Sequence, residues 1–281
     1  MREENKQMRI LSAIGMILVV AGHLGYSLFD VGGLFPYYSF HVFIFLFVSG
    51  YFYREEVEQH LLRYIGKKCK ALLLPYFIWN LVYGILAVLL HRTGFSIGGE
   101  LTLWNLFIEP FVSGHQFLYQ FPAWFVPALF LIEVLNVLGR KVLSFLHLKK
   151  EWLIFAVSLL LGIATVVLAK GGHVWGYYKF PGRLLFMMPG FQLGRIYKEK
   201  LENRVNKISD GRYFFVVVGV QLLTTICCRG LAFSAVWVTG FANAAFIPYL
   251  TVVTGIAFWL RISDWISRIP SACSWFMEIG R

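Results

Sequence analysis

The feature that most constrains this chain is a series of apolar runs, each close to the length that crosses a bilayer as a helix, separated by short polar stretches. A hydrocarbon core of roughly 30 Å takes about 20 residues of α-helix at about 1.5 Å per residue. Eight runs approach that length, over residues 10–28, 34–53, 71–90, 122–138, 152–169, 181–197, 213–228 and 243–260. In lipid the backbone must satisfy its own polar groups, and a helix does so within one segment. The sequence therefore predicts an all-α polytopic membrane protein, a bundle of about eight transmembrane helices forming a single domain over 1–281. Composition supports this: 58% of the 281 residues are hydrophobic and 15% are charged, against about half and a quarter in an ordinary soluble domain. Disorder, coiled coil and a disulfide scaffold are excluded on the same grounds. The first run begins near Arg9 and has no small-residue cleavage site before a polar chain, so it is expected to remain as a span.

The net charge of +11 would suggest nucleic acid in a soluble protein. Here its distribution matters more. With the N-terminus placed in the cytoplasm, the outer segments hold Arg92, Lys170, Lys179, Arg183 and Arg229, five of the 26 basic residues, and the other 21 fall on the inner side. That asymmetry is the positive-inside pattern, so the charge reports orientation and no nucleic-acid partner is expected. Cys69, Cys227, Cys228 and Cys273 have no metal or redox spacing, and no metal is expected. No internal repeat appears, which leaves an inverted-repeat transporter without support. The stretch 101–112 is apolar but too short to span. It is expected to lie on the surface or re-enter.

Ionisable groups within spans are costly and are functional candidates by default. His23 lies about two thirds of the way along the first run, and Ser12, eleven residues earlier, shares its face. Arg9 stands fourteen residues before His23, within about 40° of that face but ~21 Å along the axis. It is placed to hold the far end of an extended ligand, not to touch the imidazole. His41 opens the second run at a comparable depth, so the two imidazoles are candidates for a base and its electrostatic partner. The alternatives are a histidine satisfied by a neighbouring helix for His23 and an interfacial histidine for His41. Glu133 sits mid-span and must be protonated or paired, as a proton acceptor, as the partner of a basic group, or as a neutral group bonded to a neighbouring helix. Arg183 opens the sixth run and either snorkels to headgroups or faces the bundle toward an anion. Gly190 and Gly194 form a small-xxx-small pattern, expected to pack a neighbouring helix. Lys67, Lys68 and Lys70 precede the third run, as membrane anchors or as ligands for a phosphorylated cofactor.

Several blocks together resemble the acyltransferase-3 family of integral-membrane acyltransferases. They are the run from Gly15 to His23; Phe40-His41 continuing through Phe47-Val48-Ser49-Gly50-Tyr51; Lys67 to Lys70 followed by Leu72-Leu73-Leu74-Pro75-Tyr76; and Ala123-Trp124-Phe125-Val126-Pro127. A histidine in the second block is similar to the fucose-acetylase-like O-acetyltransferase branch. Ser12 stands where the family usually has Arg or Lys, and lysines stand where its basic pair before the third span is often arginine. The family normally has about ten spans, so the resemblance implies that a C-terminal span or spans are missing from this chain.

The resemblance implies a bacterial plasma-membrane enzyme moving an acetyl group from acetyl-CoA to a hydroxyl of a cell-surface or lipid-linked carbohydrate. In that reading Arg9, Lys67, Lys68 and Lys70 meet the donor's phosphates. His23 is general base or transient acyl acceptor, His41 or Arg183 orients the acceptor or stabilises the oxyanion, and Trp124 and Glu133 contribute to substrate binding. Two other classes stay open on sequence alone: a transporter or flippase for an anionic or lipid-linked substrate, and a non-catalytic membrane sensing domain.

Overall fold

The computed structural model describes residues 5–25, 30–95, 100–112, 123–148, 150–173, 176–228 and 245–279; Arg229 lies outside them. The described residues are helical, with no strand among them. In chain order the helices are α1 (Lys6–His23), α2 (His41–Phe52), α3 (Leu61–Lys68), α4 (Leu74–Arg92), α5 (Leu103–Phe107), α6 (Phe125–Phe145), α7 (Glu151–Lys170), α8 (Lys179–Ile196), α9 (Glu202–Val205), α10 (Asp210–Cys227), α11 (Ile247–Ser267) and α12 (Pro270–Ile279). Among the described residues, three helical stretches are long and apolar enough to cross a membrane by length and composition: Leu61–Arg92, Glu151–Lys170 and Asp210–Cys227.

Each of the eight apolar runs carries a helix, but the bounds differ where local chemistry overrides hydropathy. The second run yields only twelve helical residues. Pro36 precedes a short 3-10 turn over Tyr37–Ser39, and Val31, Gly32 and Gly33 before it have positive φ, which breaks the helix period. The third helix starts well before its apolar run, and α3 joins α4 through a π turn over Cys69–Leu73. Pro75 explains that turn: it offers no N–H to the carbonyl of Ala71, so the ladder shifts register there. A second π turn, Tyr197–Leu201, joins α8 to α9. The stretch 101–112 forms the short α5 and a 3-10 turn, held to α4 by the Asn80 amide, which donates to the Leu106 carbonyl at 2.7 Å.

α2 and α8 form the centre. A Cβ on Gly50 would overlap the carbonyl of Phe191, one on Gly194 the carbonyl of Phe47, and one on Gly190 the ring of Phe43. The two backbones therefore touch, as the small-xxx-small pattern anticipates. α1 runs antiparallel to α2, with Gly15 against Ile44 and Phe45 and Asn5 donating to the Tyr51 hydroxyl at 2.8 Å. α6 and α7 pack on α8, α11 on α1 and α10, and α12 on α1. The outward faces of α4, α7 and α10 carry exposed apolar residues such as Ile78, Trp79, Leu160, Val167, Phe215 and Leu223, a surface suited to lipid and not to water.

Candidate active site

Ionisable side chains gather at two ends of the bundle. At the first, α1 ends on His23 and α2 begins on His41. Tyr37 lies between them: its ring fills the space beside Gly22, the residue before His23, and its carbonyl meets the His41 ring. His41 is buried, at 5% exposure, and its Nδ1 lies 2.8 Å from the Tyr37 carbonyl. A carbonyl only accepts, so Nδ1 carries the proton and Nε2 of the neutral ring is left with its lone pair. His23, at the C-terminus of α1, is exposed. Ser12, on the same face of α1, bonds back to the Met8 carbonyl at 3.1 Å and so stays within its own helix.

Arg183 lies one turn into α8, at the same end. It faces the bundle: it is 2% exposed, with its guanidinium 4.2 Å from the centre of the Trp124 ring. Trp124, itself buried, stands at the start of α6. Two residues singled out separately in the sequence thus form one cation–π pair. Desolvated, such a pair is worth about 2 kcal/mol. It leaves a fixed positive charge in a buried position.

Midway along α6, Lys68 reaches the carboxylate of Glu133, its Nζ lying 2.8 and 2.7 Å from the two oxygens. Of the alternatives for Glu133, the basic partner is the one found. Lys68 is therefore neutralised within the protein, whereas Lys67 and Lys70 are exposed. Arg9 is half-buried on α1, which packs on α2, α11 and α12, while α3 and its π turn pack on α6.

The end of the bundle opposite Arg183 holds a network that sequence reasoning missed. Arg140 is 1% exposed. It donates to both oxygens of Glu151 at 2.6 Å, to Gln192 at 2.7 Å and to Asn136 at 3.3 Å, and the Gln192 amide donates to Asn136. Arg195 pairs with Glu55 at 2.6 Å, Glu199 at 2.7 Å and Glu151 at 3.2 Å. Those three carboxylates approach within 4.8 Å of one another, around the one guanidinium. Both arginines stack on the Tyr53 ring, whose hydroxyl donates to Glu58 at 2.8 Å. The available signal was the spacing Asn136 to Arg140, four residues apart and so on one helix face. It was hidden because Arg140 falls past the fourth apolar run.

A family model described as an acyltransferase domain, acyltransferase-3, matches residues 5–281. No curated protein and no solved structure matches the chain. The match spans nearly every residue, including both clusters: the chain belongs to the acyltransferase-3 family of membrane acyltransferases.

Proposed function

We propose that this membrane acyltransferase transfers an acetyl group from acetyl-CoA to a hydroxyl of a cell-surface or lipid-linked carbohydrate, in a bacterial plasma membrane, with its N-terminus in the cytoplasm. The observation that carries the reading is the grouping of His23, His41 and buried Arg183 at one end of a bundle of this family, with Tyr37 packed beside Gly22 and bonded to His41. His23 takes the proton of the acceptor hydroxyl as the new C–O bond forms, and returns it to the sulfur as the C–S bond breaks. Arg183, rigid on Trp124, faces the oxyanion. His41, its Nδ1 committed to a carbonyl, orients the acceptor hydroxyl through Nε2.

For the donor, Lys67 and Lys70 are exposed cations flanking the start of the π turn. Lysine takes phosphate as a point charge, so these two fit the donor's phosphates better than Lys68, which Glu133 already holds. Arg9 would meet the far end of an extended donor along α1.

The test is acetyl transfer to a defined sugar in proteoliposomes. His23→Ala is expected to lose roughly 10²–10⁴-fold, and an undiminished rate in that variant would overturn the assignment. Lys67→Ala with Lys70→Ala is expected to raise KM for acetyl-CoA. Unchanged affinity would move the donor site elsewhere.

A further inference from the structure

We infer that Asp30 is a positioning residue for His41, acting through the main chain of Tyr37, and that it sets which nitrogen of the His41 ring accepts a proton. The inference rests on the acyltransferase reading of the histidine end, but its geometry stands on its own.

Asp30 opens a loop closed by its own atoms. Its main-chain carbonyl accepts from the Phe35 N–H at 2.9 Å, and its Oδ1 accepts from the Tyr37 N–H at 3.0 Å. Between these bonds, Val31, Gly32 and Gly33 have φ of 50°, 67° and 83°. Glycine takes that region freely, but a β-branched residue does so only where the surroundings over-determine it. The two Asp30 bonds supply that constraint.

Tyr37 is thereby pinned at three points. Asp30 holds its N–H. Its ring fills the notch left by Gly22, where a Cβ would overlap the ring carbons, and Gly22 is the residue before His23. Its carbonyl meets His41 Nδ1 at 2.8 Å, with the two rings 5.7 Å apart. The chain of contacts runs Asp30, Tyr37, His41, and it touches α1 beside His23 on the way. Only with the Tyr37 carbonyl fixed is the His41 proton fixed on Nδ1, leaving Nε2 as the acceptor. The tyrosine hydroxyl takes no part in this chain, and neither does the charge of Asp30, since an amide oxygen would accept the same bond.

The experiment is 15N NMR of ring-labelled histidine in the protein reconstituted in nanodiscs without substrate, with His41 among the seven histidines assigned by its loss in His41→Gln. In the parent protein and in Asp30→Asn, His41 is expected to be neutral with Nδ1 protonated. In Asp30→Ala the proton is expected to distribute over both nitrogens, with acetyl transfer down roughly tenfold or more and largely rescued by Asp30→Asn. Gly22→Ala displaces the Tyr37 ring without touching Asp30 and is expected to give the same spectral change, which keeps the test open if Asp30→Ala does not fold. A ring proton still wholly on Nδ1 in both Asp30→Ala and Gly22→Ala overturns the inference. So does an Asp30→Asn spectrum that matches Asp30→Ala, since that would make the charge the cause. If no variant, the parent included, transfers acetyl groups, the functional reading fails while the spectra still decide the positioning.

Discussion

The guanidinium of Arg140 meets the carboxylate of Glu151 through two parallel bonds of 2.6 Å, tying α6 to the first residue of α7. Both charges are well removed from water, at 0% and 12% side-chain exposure. Burial by itself would disfavour ionising either group, but the fork of two charge-assisted bonds offsets it. Glu151→Gln strips Arg140 of its counter-charge and is expected to destabilise the protein by about 3–5 kcal/mol. Arg140→Met with Glu151→Met is expected to cost less than either single loss of charge. Thermal unfolding in one detergent reads all of these, and strictly additive losses would refute the coupling.

Lys68 and Glu133 pose a different question, because Lys68 is also a candidate for the donor's phosphates. Its side chain is 30% exposed and Glu133 only 1%. Lys68→Met leaves a buried carboxylate without its cation, and stability is expected to fall by about 1–3 kcal/mol. The affinity for acetyl-CoA is expected to change less than in Lys67→Ala with Lys70→Ala. A larger affinity loss from Lys68→Met than from that double variant would make Lys68 a phosphate ligand after all.

The contact of α2 with α8 depends on glycines that leave no room for a methyl group. At Gly50 and Gly194 the obstacle is a main-chain carbonyl, which cannot rotate aside as a side-chain tip does. Gly50→Ala and Gly194→Ala are each expected to cost at least the roughly 1–3 kcal/mol typical of overpacking. Gly219→Ala, where a Cβ would meet nothing within 4 Å, is the control and is expected to be neutral. Equal behaviour of all three in unfolding would remove these glycines from the packing argument.

These relationships differ in how far the sequence reveals them. Helices follow from apolar runs because bilayer thickness sets a length that hydropathy can measure, and the pairing of Gly190 with Gly194 follows from helical spacing. Arg183 and Trp124 each stand out as unusual in an apolar setting. Their stacking does not, because it joins the starts of two helices almost sixty positions apart. Lys68 and Glu133 draw attention for unrelated reasons, and nothing local links them. Arg140 is concealed by a rule that is otherwise sound. Counting cations for orientation treats every basic residue beyond an apolar run as a loop charge, yet α6 continues to Phe145 and carries Arg140 into the interior. The short α2 is concealed by Pro36 and the loop at Val31, whose backbone geometry overrides the hydropathy of 34–40.

Lys179 offers a test by pH. It precedes the run 181–197, four residues before Arg183, and its pKa is lowered from 10.5 to about 8. Burial is the larger cause and the like charge of Arg183 the second, with Glu109 opposing both. Because the folded protein holds this proton less tightly than the unfolded chain, the unfolded state binds more protons between about pH 8 and 10.5, and stability rises with pH across that window. Below pH 8 both states are protonated and the full penalty of the charged form applies. Lys179→Met removes the penalty. Its melting temperature is expected to exceed the parent's at pH 7, by a few degrees at most since solvent screens a half-buried group, and the gap is expected to close as pH climbs to 10.5. Titrating groups common to both proteins cancel in the difference, so parallel melting profiles from pH 7 to 10.5 would show that Lys179 carries no such penalty.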